Sequence, residues 1–220
     1  MTQLETELQQ LKNEVKSMWE LVGTQLEKAR KSLINYDKDM AREVIVKERR
    51  VNAYELKIDR DCEDIFALYT PVAIDLRFLL AVLKINSNLE RTGDIAEGIA
   101  KYVLNSTQPF TPELLKQTRV VEMYEEAINM FNDTLAAFEK EDTLLARGVF
   151  KKDDFLDQIN INANSIILAF LKDYPTEMDL SLYALSIIRK LERIGDQCKN
   201  IAEEIIFYVE AKVLKHSHKL

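Results

Sequence analysis

Carboxylates recur in this chain at a spacing of four. Glu90/Asp94, Asp153/Asp157 and Glu192/Asp196 are such pairs, and Glu48/Asn52 repeats the spacing with an amide in second place. Residues four apart share one face of a helix, so each pair sets two oxygen side chains side by side. Like charges placed this way repel by about a few tenths of a kcal/mol unless a cation lies between them. Oxygen-only donors suit hard cations such as Mg²⁺, Mn²⁺, Ca²⁺ or Fe³⁺, with Zn²⁺ a further ion to test. Asp153, Asp157, Glu192 and Asp196 make a set of four carboxylates. Glu48, Glu90 and Asp94 with Asn52 make a set of three and an amide. Charge alone therefore predicts tighter binding at the second set. The competing reading is a solvated acidic face in which Arg91 and Arg193 pair with the motif carboxylates. Glu55 and Asp59 share the spacing, but they fall opposite Ser87 and Leu83 and read as supporting or ion-paired residues.

Register shows whether these pairs meet. In an antiparallel helical hairpin, facing residues are equidistant from the turn. Glu48 and Asp94 are equidistant from Pro71, and so are Asn52 and Glu90. Asp153 with Asp196, and Asp157 with Glu192, are equidistant from the Tyr174–Pro175 bond. Both points are turns on independent grounds, because proline interrupts a helix and biases the residue before it away from helical geometry.

The elements that position the pairs are long helices. In the first segment, apolar residues fall at Leu4, Leu8, Leu11, Val15, Met18, Val22, Leu26, Ala29 and Leu33, in steps of three and four that mark a helix packed in a bundle. Asp37 or Asp39 can cap a second helix that runs to Tyr69. A third spans about 72–105. Ser106 to Pro112 is the strongest break, and Thr111-Pro112-Glu113 reads as a cap followed by proline in the first helical turn. A fourth helix runs to about Lys140, a fifth to about Asp173, and a sixth from Pro175 to about Leu214.

The two halves repeat. Leu89-Glu90-Arg91-Thr92-Gly93-Asp94 matches Leu191-Glu192-Arg193-Ile194-Gly195-Asp196 at an offset of 102, and upstream Asp37, Val44 and Glu48 fall on Asp142, Val149 and Asp153 at an offset of 105. The expected fold is all-α, two tandem three-helix bundles over 1–106 and 107–220. Gly93 and Gly195, mid-helix beside each motif Asp, are disfavoured by about 1 kcal/mol relative to Ala, so their repetition predicts a close approach there.

Composition narrows the function. Only five glycines and four prolines occur in 220 residues, against roughly 12% in average chains, which excludes Gly-loop-rich and turn-dense β architectures. A net charge of −7 argues against bulk binding to nucleic acid or anionic lipid. Two cysteines, Cys62 and Cys198, make no disulfide framework and read as small buried hydrophobes of a reducing, cytoplasmic protein. No apolar run is long enough to span a bilayer. There is no P-loop, no Glu-x-x-His pair for a di-iron site, and no nucleophile–base set, since the two histidines, His216 and His218, sit in a Lys-rich tail with no expected role.

At the two Leu-Glu-Arg-x-Gly-Asp motifs the sequence resembles the PhoU family. Arg50-Val51-Asn52-Ala53-Tyr54-Glu55-Leu56-Lys57-Ile58-Asp59, Pro71-Val72-Ala73-Ile74-Asp75-Leu76-Arg77 and Asn200-Ile201-Ala202-Glu203-Glu204-Ile205-Ile206-Phe207-Tyr208-Val209 extend the likeness over nearly the whole chain. The resemblance implies two three-helix bundles side by side. It implies metal clusters, iron or other divalent ions, held by Glu48/Asn52, Glu90/Asp94, Asp153/Asp157 and Glu192/Asp196, with Asn52 departing from the acidic form. It also implies a non-enzymatic regulator of phosphate uptake, often a homodimer. Such a regulator links the ATPase-driven phosphate ABC transporter to a sensor histidine kinase and restrains both when phosphate is ample. The alternatives are a metal-dependent phosphate-handling enzyme and a purely structural helical module.

Overall fold

The computed structural model describes residues 2–214, and His216 and His218 lie outside them. The described chain is helical from end to end: α1 (Gln3–Asn35), α2 (Lys38–Leu68), α3 (Ile74–Asn105), α4 (Pro112–Thr118), α5 (Val120–Lys140), α6 (Thr143–Asp173) and α7 (Met178–Glu210). Six are long, as the periodicity predicts. The seventh, α4, arises from a break the sequence reading did not place. Arg119 sits in the left-handed region at φ 54° and separates α4 from α5. The chain turns there without a glycine or proline, and Arg119 is held by its ion pair to Glu122 and by its guanidinium over the Phe155 ring.

The helix starts are set by side chains. Asp37 caps α2 by accepting from Met40 N–H, and its repeat partner Asp142 caps α6 by accepting from Leu144 and Leu145 N–H. Thr111 caps α4, with Pro112 in its first turn. Thr2 and Glu5 form a capping box on α1. Each such cap contributes about 1 kcal/mol. The start of α3 differs. It begins at Ile74 rather than Val72, after Ala73 at φ 49° and ψ −109° with no side-chain cap. The last helix begins at Met178, because Pro175–Glu177 forms a single 3-10 turn.

Packing follows the stripes. Leu11, Val15, Met18, Val22, Leu26, Ala29 and Leu33 of α1 are buried, and Leu4 and Leu8 pack at its rim. Burying a large apolar side chain contributes about 1.5–3 kcal/mol, so such a stripe holds α1 in place. Helices α1, α3, α5 and α7 surround one core, in which α1 meets α5 and α3 meets α7. Helix α2 lies outside against α1 and α3, and α6 lies outside against α5 and α7. Trp19 of α1 closes the junction between the halves, with its ring 5.3 Å from Phe138 and 6.1 Å from Phe131 of α5. Among the described residues no helix is long and apolar enough to cross a membrane. The outcome for function is two seams, α2 on α3 and α6 on α7, each carrying one acidic set.

Candidate functional site

The register places the acidic pairs level, as the sequence requires. In the first seam the Glu48 carboxylate lies directly over Gly93, where an added Cβ would stand 3.1 Å from Oε2 and 3.2 Å from a Val51 methyl. In the second, a Cβ on Gly195 would stand 2.6 Å from Oδ1 of Asp153 and 3.0 Å from Leu156. The repeated glycines therefore make room for a carboxylate from the facing helix. This is the close approach their sequence position predicts.

Glu48 is the most strained group of the first seam. It is only 5% exposed. Its Oε2 accepts from Gln25 Nε2 at 2.9 Å, and its Oε1 is buried with no partner. A buried carboxylate without a counter-charge is unfavourable to ionise. Burial accordingly holds the Glu48 carboxyl up at about 7; the Gln25 hydrogen bond opposes that rise, and the charges of Asp94, Glu97 and Glu90 add to it. Glu90 and Glu55 are also raised, each by burial first and then by neighbouring carboxylates. Asn52 remains exposed and adds no charge.

Two details of this seam depart from the expectation. Glu55 lies near enough to Glu90 and Asp94 for their charges to act on one another, although the mirror register put it opposite Ser87. Straight mirror counting ignores the supercoil and the reach of a glutamate side chain. Asp59 does act in support, accepting from Asn86 Nδ2 at 2.9 Å. The motif arginines make no close ion pair with either set, although the Arg91 charge opposes the rise of Glu90 and Glu55. Arg91 and Arg193 form no salt bridge among the described residues.

The second seam has its own cation. Lys199 Nζ donates to Asp153 Oδ2 and, at 2.9 Å, to Asp196 Oδ1. Burial works against the Lys199 charge, but its bonds to Asp153 and Asp196 outweigh that and hold the ammonium above its ordinary range. Asp153 is raised by burial, with Lys199 pulling it back, and Glu192 is raised by burial and by Asp196. The repeat gives the contrast directly. At the offset of 102, the first-half counterpart of Lys199 is Glu97. At the offset of 105, the second-half counterparts of Gln25, Glu55 and Asp59 are Met130, Asn160 and Asn164. One seam thus gathers extra carboxylates and a neutral amide donor, while the other has lost acids and gained an ammonium.

The residues fit a hard cation unequally. Among the described residues, no three His, Cys, Asp or Glu side chains converge into a ready cage. The first seam has the oxygen donors, the uncompensated charge and the orphaned Glu48 oxygen that a cation would satisfy. In the second, an ammonium lies where a cation would bridge Asp153 and Asp196. Cys62 and Cys198 are free and buried, and burial pushes both thiols up, Cys62 to about 12, so neither is a thiolate donor.

A duplicated three-helix array with a glycine-backed acidic seam in each half defines the class of protein. The profile of the PhoU domain matches residues 15–103 and 120–205, one match per half. The chain is 33% identical to the phosphate-specific transport system accessory protein PhoU of Edwardsiella tarda, over 97% of this chain and 87% of that one. It superposes on the crystal structure of PhoU from Pseudomonas aeruginosa with a TM-score of 0.86 at 28% identity, covering 96% of this chain and 100% of that one. The crystal structure of the phosphate transport system regulatory protein PhoU from Streptococcus pneumoniae gives 0.85 at 29% identity, with coverage of 96% and 99%. The chain belongs to the PhoU family, whose members named here are accessory and regulatory proteins of phosphate transport.

Proposed function

We propose that this chain is a non-enzymatic regulator of phosphate uptake that holds a hard cation in its first seam. The cation neutralises Glu48, Glu90, Asp94 and their neighbours and fixes the face formed by α2 and α3. Through that face the protein docks on the transporter ATPase and on a sensor histidine kinase and restrains both when phosphate is ample. A homodimer would present the face twice. The observation that carries the reading is the buried Glu48 oxygen with no partner, facing a seam of carboxylates. Asp153, Asp157, Glu192 and Asp196 are the weaker set in this reading, because Lys199 already serves Asp153 and Asp196. That ranking is the reverse of the one charge counting predicts.

Elemental analysis and Mn²⁺ titration of protein purified without chelator test it. Wild type should load its first seam. Glu48→Gln with Asp94→Asn should lose that metal, and Lys199→Met should gain a further Mn²⁺ site lost again on Asp153→Asn. Metal content unchanged by the Glu48/Asp94 variant would overturn the assignment.

A further inference from the structure

The α3–α7 groove holds a second imbalance, of opposite sign. About 510 Å³ in volume, it is lined by four cationic side chains, Arg91, Lys101, Lys190 and Arg193, against two carboxylates, Asp94 and Glu97. Glu97 is spent on Lys101 at 2.5 Å. Arg91, Lys190 and Arg193 form no salt bridge among the described residues, so the groove holds four cations against the two carboxylates Asp94 and Glu97. In a chain of net charge −7 this is a local inversion.

Lys190 is built in rather than loosely placed. It is half-buried, its Nζ lies over the Tyr102 ring at 5.8 Å, and a Cβ on Gly98 would stand 2.6 Å from that Nζ. The absence of a side chain at residue 98 is what lets the ammonium settle against α3. The repeat again supplies a control. At the offset of 102, Asn88 stands for Lys190, Asn200 for Gly98 and Glu204 for Tyr102. There Asn200 bonds to Asn88, and Lys84 is matched by Glu204 at 3.0 Å. In the related groove the lysine has a carboxylate partner, whereas here Lys190 has none at salt-bridge distance among the described residues.

We propose that the groove binds hydrogen phosphate, with Lys190, Arg91 and Arg193 as its cationic partners and Asp94 as acceptor of its proton. Guanidinium and ammonium groups together match a tetrahedral dianion in charge and in donor geometry. A carboxylate at the rim selects an oxyanion that carries a proton and repels one that does not. The site shares Asp94 with the first seam but requires no metal there, so chelator-treated protein tests it separately from the reading above.

Calorimetric titration of chelator-treated full-length protein at fixed ionic strength tests it, using orthophosphate, sulfate and phenyl phosphate. Saturable binding of one orthophosphate per chain is expected. Affinity should fall at least tenfold in Lys190→Gln. It should fall similarly in Gly98→Ala, which keeps every charge but displaces the ammonium. Lys84→Gln, in the related groove, should bind as wild type does. Unchanged thermal melting of the variants separates loss of the site from loss of fold. No saturable binding, wild-type affinity in both groove variants, or sulfate matching orthophosphate would overturn the proposal. Tighter binding of phenyl phosphate would overturn the free ion as ligand and assign the groove to a phosphorylated partner.

Discussion

Glu48 shows how a single side chain can make stability depend on pH and cation together. Its carboxyl titrates at about 7 when folded, against 4.5 as a free side chain, so between those values the folded state holds a proton that the unfolded state has lost. Stability of the chelated protein should therefore fall as pH rises across that window, by up to ~1.4 kcal/mol per unit. Denaturant melts from pH 4.5 to 8 measure this. Glu48→Gln should flatten the slope and raise stability at pH 8 by about 1–3 kcal/mol, and Mn²⁺ should flatten it in wild type. A wild-type profile as steep with Mn²⁺ as without would separate Glu48 from any cation. The position of Glu48 was legible from the midpoint at Pro71. The importance of Lys199 was not, because counting carboxylates ignores a lysine three residues from Asp196. Aligning the halves, which sets Lys199 against Glu97, is the signal that finds it.

At the scale of helices, the two motif glycines separate what a small residue does for packing from what it does for a helix. Alanine at either site gains about 1 kcal/mol of helix propensity. At residue 195 the added Cβ would meet Asp153 at 2.6 Å and Leu156 at 3.0 Å, so the seam must open. Gly195→Ala should cost about 1–3 kcal/mol net. At residue 93 the contacts are 3.1 and 3.2 Å, and Gly93→Ala should fall within about 1 kcal/mol of wild type. Paired chemical melts decide the order, and a larger loss at residue 93 would contradict it. The opposite repair applies at the start of α3, where exposed Ala73 holds φ 49° and ψ −109°. Ala73→Gly should stabilise by about 1 kcal/mol, read as a higher midpoint. Six long helices and the caps at Asp37 and Thr111 were legible in the sequence, whereas the caps at Thr2 and Asp142 emerge in the structure. The break at Arg119 had no such marker; its left-handed residue is met by the ring of Phe155 from α6, a contact the sequence alone does not show.

Across the whole molecule, the halves share one core through α1 with α5 and α3 with α7, and the single tryptophan lies in the first of these contacts. Unfolding followed by Trp19 fluorescence should coincide with loss of helix by circular dichroism, as expected for one cooperative unit. Two separated transitions would show that the halves melt independently. Trp19→Ala should cost about 3–5 kcal/mol. The duplication was visible in the two Leu-Glu-Arg-x-Gly-Asp motifs, but its asymmetry emerged only when partners were assigned across helices. That asymmetry has a genetic reading. Glutamate and lysine codons differ at their first base alone, so one transition separates a seam written like that of Glu97 from one written like that of Lys199. A duplicated chain of this kind stands a single nucleotide from exchanging a carboxylate at one seam for an ammonium carried in its own gene, one half at a time.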